Sequence, residues 1–184
     1  MKKAASLFLI MILVINSYAQ DKPAVAPEKN VIKVNTLALI VLTGSIFYER
    51  EISDLNSLQL GVAYLGYKIS DTRFTGVILT PEVRFYVRKD ALDGFYVAPY
   101  FRFQSFGYNN TESVETEKGS LTTYGGGVAL GRQWIFARGF VLDFFIGGHY
   151  SGSSIDITSG SEPTNIAKFE GFRTRVGLNL GFAF

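Results

Sequence analysis

From Phe172 onward the chain alternates without a break. Phe172, Thr174, Val176, Leu178, Leu180, Phe182 and Phe184 fall on one face, and Arg173, Arg175, Gly177, Asn179, Gly181 and Ala183 on the other. A period of two belongs to a β-strand whose two faces meet different surroundings. The apolar face is rich in aromatics and uninterrupted, which a soluble sandwich rarely leaves uncovered. The pattern predicts a lipid bilayer on that side and a polar interior on the other.

The N-terminal region predicts an exported protein. Lys2 and Lys3 precede an apolar run from Ala4 to Ile15, and Ser17-Tyr18-Ala19 supplies a small-x-small site before Gln20. This is the layout of a secretory signal peptide over residues 1–19. The apolar run is too short for a retained spanning helix, which needs about 20 residues. No cysteine follows the cleavage site, which argues against a lipoprotein, and a chain with no cysteine anywhere holds no disulfide or thiolate metal site.

Composition then removes one class of partner. Of 18 Lys and Arg, two precede Gln20, leaving 16 basic residues against 16 acidic ones. The mature chain is formally neutral, so the basic pI gives no reason to expect nucleic acid, whose recognition needs a clustered positive excess. Aromatics at 15% and 19 glycines fit a transmembrane barrel with aromatic girdles.

Residues 20–30, with Pro23 and Pro27 among charges, read as a periplasmic leader. Eight segments follow that alternate as strands, roughly 31–42, 44–52, 57–69, 75–88, 94–107, 119–136, 139–152 and 170–184. A membrane strand takes about 9–11 residues when tilted, and only the second segment is marginal. Eight is an even number that closes without an edge, and edges are untenable in hydrocarbon. The expected fold is all-β: an eight-stranded antiparallel up-and-down transmembrane barrel over residues 31–184. With a periplasmic N-terminus, the connections at Ser53-Asp54, Lys89 to Gly94 and Ala137 to Gly139 are the short periplasmic turns. Tyr108 to Gly119 and Gly152 to Phe169 are then long outer loops, while the connection near Thr43-Gly44 is almost absent.

Faces can be assigned strand by strand. Val77, Leu79, Pro81, Val83, Phe85 and Val87 oppose Thr80, Glu82, Arg84, Tyr86 and Arg88, and Phe95, Val97, Pro99, Phe101 and Phe103 oppose Tyr96, Tyr100, Arg102 and Gln104. Leu142, Phe144, Ile146 and Tyr150 oppose Asp143 and His149. Pro81 and Pro99 lack a ladder donor, so each marks a bulge or an irregular rung. The sixth segment places Arg132 outward beside Trp134, where a long side chain can snorkel at the interface. Gly125-Gly126-Gly127 reads as room in the wall for bulky neighbours rather than a phosphate loop.

These features together resemble the small Gram-negative outer-membrane barrels of the OmpA-type transmembrane-domain superfamily, and among them the single-domain barrels of Bacteroidota. The likeness covers residues 31–184 and rests also on Lys33-Val34-Asn35, Tyr48-Glu49-Arg50 and Gly131-Arg132-Gln133-Trp134. Arg175-x-Gly177-x-x-Leu180-x-Phe182 is similar to the signal read by the outer-membrane assembly machinery, two residues short of Phe184. The resemblance implies an integral outer-membrane protein in contact with lipids and lipopolysaccharide. The resemblance is silent on activity; the expected role is structural or surface-interacting, without enzymatic activity or cofactor, with any surface ligand left open.

The inward set contains Lys33, Glu49, Glu82, Arg84, Arg88, Arg102, Asp143, Arg173 and Arg175, with Asn35, Gln59, Tyr100, Gln104 and Asn179. An eight-stranded barrel is only wide enough for its own side chains to fill, so these charges are expected to pair as a plug rather than line an ion path. One further pattern resembles lipid A 3-O-deacylase barrels: His149-Tyr150-Ser151 with Glu162 eleven residues later. That likeness would make His149 the base, Ser151 the nucleophile and Glu162 the orienting carboxylate. Gly152 replaces the family's Asn, and the phase turns His149 and Ser151 away from lipid, so the expectation is that they are not catalytic. A single histidine without cysteine argues against a zinc site, and Glu112, Glu115 and Glu117 read as a solvated acidic loop.

Overall fold

The alternating segments form eight strands: β1 (Asn30–Asn35), β2 (Thr43–Ser53), β3 (Asn56–Ile69), β4 (Thr72–Tyr86), β5 (Gly94–Asn110), β6 (Glu117–Ile135), β7 (Phe140–Ser159) and β8 (Gly171–Ala183). The structure, a computed structural model, describes residues 28–40, 43–69, 72–88, 91–110, 117–159 and 170–184. The signal peptide, most of the leader, and Glu112, Glu115 and Glu162 lie outside the described residues. Each strand pairs antiparallel with its sequence neighbours, and β1 closes on β8 with Val31 opposite Ala183 and Asn35 opposite Asn179. Asn30 and Phe184 extend the seam by exchanging backbone hydrogen bonds of 3.0 and 2.8 Å. The sheet has no free edge, as an eight-stranded barrel requires.

The seam and the short connections share one end, here the turn end. Two residues link β2 to β3, and a 3-10 turn over Ala137–Gly139 links β6 to β7. Arg138 and Gly139 take positive φ values of 65° and 80° there. The β4–β5 connection is longer and folds back into the barrel. Leu92, held at φ 78°, is fully buried against Val31, Val141 and Ala183 and seals the lumen from below.

Two strand boundaries differ from the sequence expectation by more than three residues. The first segment does not run to residue 42. Asn35 Oδ1 accepts the Ala38 N–H at 3.1 Å and starts a one-turn helix α1 (Thr36–Ile40), with Thr36 Oγ1 donating to Leu178 O at 2.8 Å. An Asn side chain that caps backbone donors competes with the ladder, so the strand stops there. The connection before β2 is therefore longer than expected, and Thr43 and Gly44 belong to the strand. The seventh strand continues seven residues past Gly152, because the serine-rich stretch stays in register with β6: Ser153 faces Thr123 and Ser154 faces Thr122. Polar strand ends carry no hydrophobic alternation and read as loop.

Neither proline inserts a residue. Leu79 faces Phe103, Glu82 faces Tyr100 and Phe85 faces Val97, all at one offset, and Pro81 and Pro99 stay in register with Leu60 and Val128. No bulge forms at either position, but the rungs are irregular as expected: the β4–β5 ladder passes from Leu79–Phe103 to Glu82–Tyr100 and then to Phe85–Val97, leaving the positions at and beside Pro81 and Pro99 unpaired between these two strands. Two of the three consecutive glycines work as expected. A Cβ on Gly127 would lie 2.1 Å from Gly148 O and 2.5 Å from His149 Cβ, and one on Gly125 would lie 2.3 Å from Tyr150 O. These glycines let β6 approach β7 closely enough to seat His149 and Ser151 inside, whereas Gly126 faces outward.

The faces follow the alternation. Ile46, Leu60, Val97, Leu130, Ile146 and Val176 stand exposed on the outside, while the residues between them turn inward. Arg132 also points outward, its guanidinium 4.5 Å from the Phe95 ring centroid and 5.0 Å from that of Trp134.

Candidate functional site

Above the Leu92 seal, the lumen holds a charged layer to which all eight strands contribute. Lys33 of β1 donates to Glu49 of β2 at 2.5 Å and to Asp143 of β7 at 3.1 Å. Arg84 of β4 reaches Glu49 and Asp143, both at 3.1 Å, and its own neighbour Glu82 at 2.7 Å. Ser57 of β3 and Tyr86 donate to Glu49, while Tyr96 of β5 and Asn179 of β8 donate to Asp143 at 2.7 and 2.9 Å. Gln133 of β6 accepts from Lys33 at 2.6 Å and donates to Leu92 O at 2.9 Å, tying the layer to the seal. Lys33, Glu49, Glu82, Arg84, Gln133 and Asp143 are each at most 2% exposed. Charges survive such burial because every carboxylate meets a cation and the remaining lone pairs meet hydroxyl or amide donors.

The next layer is aromatic. Arg175 of β8 donates to Glu82 at 2.7 Å while its guanidinium stacks 4.4 Å from the Phe145 centroid and 4.7 Å from that of Tyr100. Tyr100 Oη lies 3.1 Å from His149 Nδ1. Past this layer the barrel opens into a cavity of about 470 Å³ lined by Arg102, Gln104, Thr123, His149, Ser151, Arg173 and Arg175, among others. A second cavity of about 350 Å³ lies against α1 and β2 and shares Arg102 and Arg175 with the first.

Most of the inward set is where the alternation puts it, with three corrections. Arg88 is exposed at the turn end, past the last rung of β4. Arg173 lines the upper cavity but stands at its exposed mouth. Arg102 stays outside the ion-paired plug: it donates to Thr80 Oγ1 at 3.4 Å, while Glu82 is shared by Arg84 and Arg175. Gln133, Ser57 and Leu92 carry the plug without having been singled out. Gln133 was in reach, because an outward Arg132 forces its neighbour inward. Leu92 sits in a turn, where no periodicity speaks.

His149 and Ser151 both face the lumen and are buried. Ser151 Oγ donates to Gly171 O at 3.4 Å, and among the described residues no hydrogen bond joins it to His149. Glu162 lies outside the described residues.

An apolar exterior around a filled, ion-paired lumen defines the class as a closed eight-stranded antiparallel β-barrel. The chain belongs to the family described as protein of unknown function (DUF3575), whose model matches residues 5–167. No curated protein matches it. Among solved structures it is similar to a major outer membrane protein of Thermus thermophilus, at 16% identity and a TM-score of 0.54, covering 86% of this chain and 100% of that one. It is also similar to CarO2 of Acinetobacter baumannii (12% identity, TM-score 0.46, 88% and 100% covered). The N-terminal barrel domain of Pseudomonas aeruginosa OprF aligns at 14% identity, with a TM-score of 0.44 and 85% and 98% covered.

Proposed function

We propose that this chain is an integral outer-membrane barrel with a structural or surface-interaction role, closed to ions and without enzymatic activity, oriented with its turn end in the periplasm. The observation that carries this reading is the ionic layer: side chains from all eight strands cross the lumen and pair there, under an apolar seal at Leu92. The exterior supports the membrane assignment. Phe95, Phe140 and Phe182 ring the turn end and Tyr64, Tyr150 and Phe172 the other, all exposed. Along β7 the two girdles are ten residues apart, from Phe140 to Tyr150, which matches the about 9–11 residues a tilted strand needs to span. Outer-membrane lipids and lipopolysaccharide are the partners this surface fits, and the single-domain barrels of Bacteroidota are the relatives it resembles.

The absence of catalysis is favoured by the direction of His149 and Ser151. A lipid acyl ester held in the outer leaflet meets the outer wall, and both side chains point away from it.

Expressed protein should fractionate with the outer membrane, and the purified barrel in planar bilayers should show no steady conductance of porin size. Recovery from the soluble periplasm removes the membrane assignment, and a large stable conductance removes the closed lumen.

A further inference from the structure

We infer that the cavity above the aromatic layer is a binding site for small oxyanions, with Arg102 as its principal donor. Among the described residues, the charge inside the barrel is lopsided. The buried carboxylates Glu49, Glu82 and Asp143 are all engaged by Lys33, Arg84 and Arg175 in the lower half. The upper cavity is lined by Arg102, Arg173 and Arg175 and by His149, and no carboxylate lines it among the described residues.

Arg102 is the distinctive group. A guanidinium presents five N–H donors, yet among the described residues this one makes a single hydrogen bond at 3.4 Å, to Thr80. No carboxylate of the described residues lies within ion-pair distance of it. Its planar fork matches a carboxylate or phosphate bidentately, which is the strong form of charge-assisted hydrogen bond. Arg175 differs, being fixed by Glu82 and two aromatic rings, so it contributes field without being free to turn.

The rest of the lining adds donors of the right kind. Thr123 Oγ1 accepts from Gln104 Nε2 at 2.9 Å, which leaves its own hydroxyl proton to donate elsewhere. A volume of about 470 Å³ lies within the range of small-molecule pockets, roughly 300–1,000 Å³. The ionic layer closes the floor, so the site holds its ligand from one side and passes nothing through. The binding chemistry does not depend on which way the barrel crosses the membrane. An oxyanion could arrive free in solution or on a lipid headgroup.

The test is isothermal titration of the folded barrel in octyl glucoside with inorganic phosphate, succinate and short-chain phosphatidic acid, with choline chloride as a cationic control. Phosphate and succinate should bind saturably and choline should not. Arg102→Gln should weaken binding at least tenfold while keeping the heat-modifiable migration of a closed barrel, and Arg102→Lys should fall between. A response confined to phosphatidic acid upholds the oxyanion site and assigns its source to lipid headgroups. Failure of every oxyanion to bind the parent barrel, or equal binding by Arg102→Gln, overturns the inference, as does choline binding as tight as phosphate.

Discussion

Glu82 and Asp143 differ in how many neighbours depend on them, and that difference sets the cost of losing each. Glu82→Ala strips Arg175 of its carboxylate but leaves Arg84 with Glu49 and Asp143. Breaking a buried pair from one side costs about 3–5 kcal/mol, because an uncompensated charge remains. Asp143→Ala deprives Lys33, Arg84, Tyr96 and Asn179 at once and is expected to destabilise more. Urea unfolding in detergent, followed by the gel shift between folded and unfolded barrel, ranks the two; an Asp143→Ala loss smaller than that of Glu82→Ala contradicts this hierarchy. Which residues turn inward was legible, since alternation fixes direction. Who pairs with whom was not. Glu82 and Arg102 lie on adjacent strands, yet Glu82 pairs with Arg84 on its own strand and with Arg175 from the far side of the barrel, the latter a choice set by the three-dimensional stagger of the strands.

At the level of elements, strand number, order and the short turns were all present in the sequence, because each strand repeats a period of two and each turn interrupts it. The misjudged boundaries share one cause: Asn35 and the serines after Tyr150 decide their local structure by hydrogen bonding rather than by hydrophobicity. The inward fold of the β4–β5 connection belongs here too. Leu92 plugs the turn end from a turn, accepting from Gln133 through its carbonyl while its side chain packs on β1, β7 and β8. Leu92→Ala keeps the carbonyl and empties the seal. The expected loss is about 2–5 kcal/mol, the usual range for truncating a buried leucine. A thermal shift in detergent measures it, and an unchanged transition shows that the seal contributes no stability.

For the whole molecule, the fold was far more legible than the activity, since a wall with an apolar outer face and a polar inner one leaves its mark on every strand, whereas His149 and Ser151 are two residues in one. With both side chains in the lumen, cells overexpressing the protein should keep an unchanged lipid A acylation pattern by mass spectrometry, and Ser151→Ala should alter nothing. Loss of one acyl chain, abolished by Ser151→Ala, would reverse the non-enzymatic assignment. The ionic layer also has a bearing on how such a wall comes into being. Lys33 leaves the synthesis machinery early and Asp143 and Asn179 late, yet they meet around a single point. Until β8 docks on β1, the ammonium on the first strand has Glu49 of the second but not Asp143 of the seventh, and that carboxylate lacks its amide from the eighth. Half-built intermediates therefore carry incompletely paired charges, and closure of the ring and full neutralisation of its centre become one cooperative event.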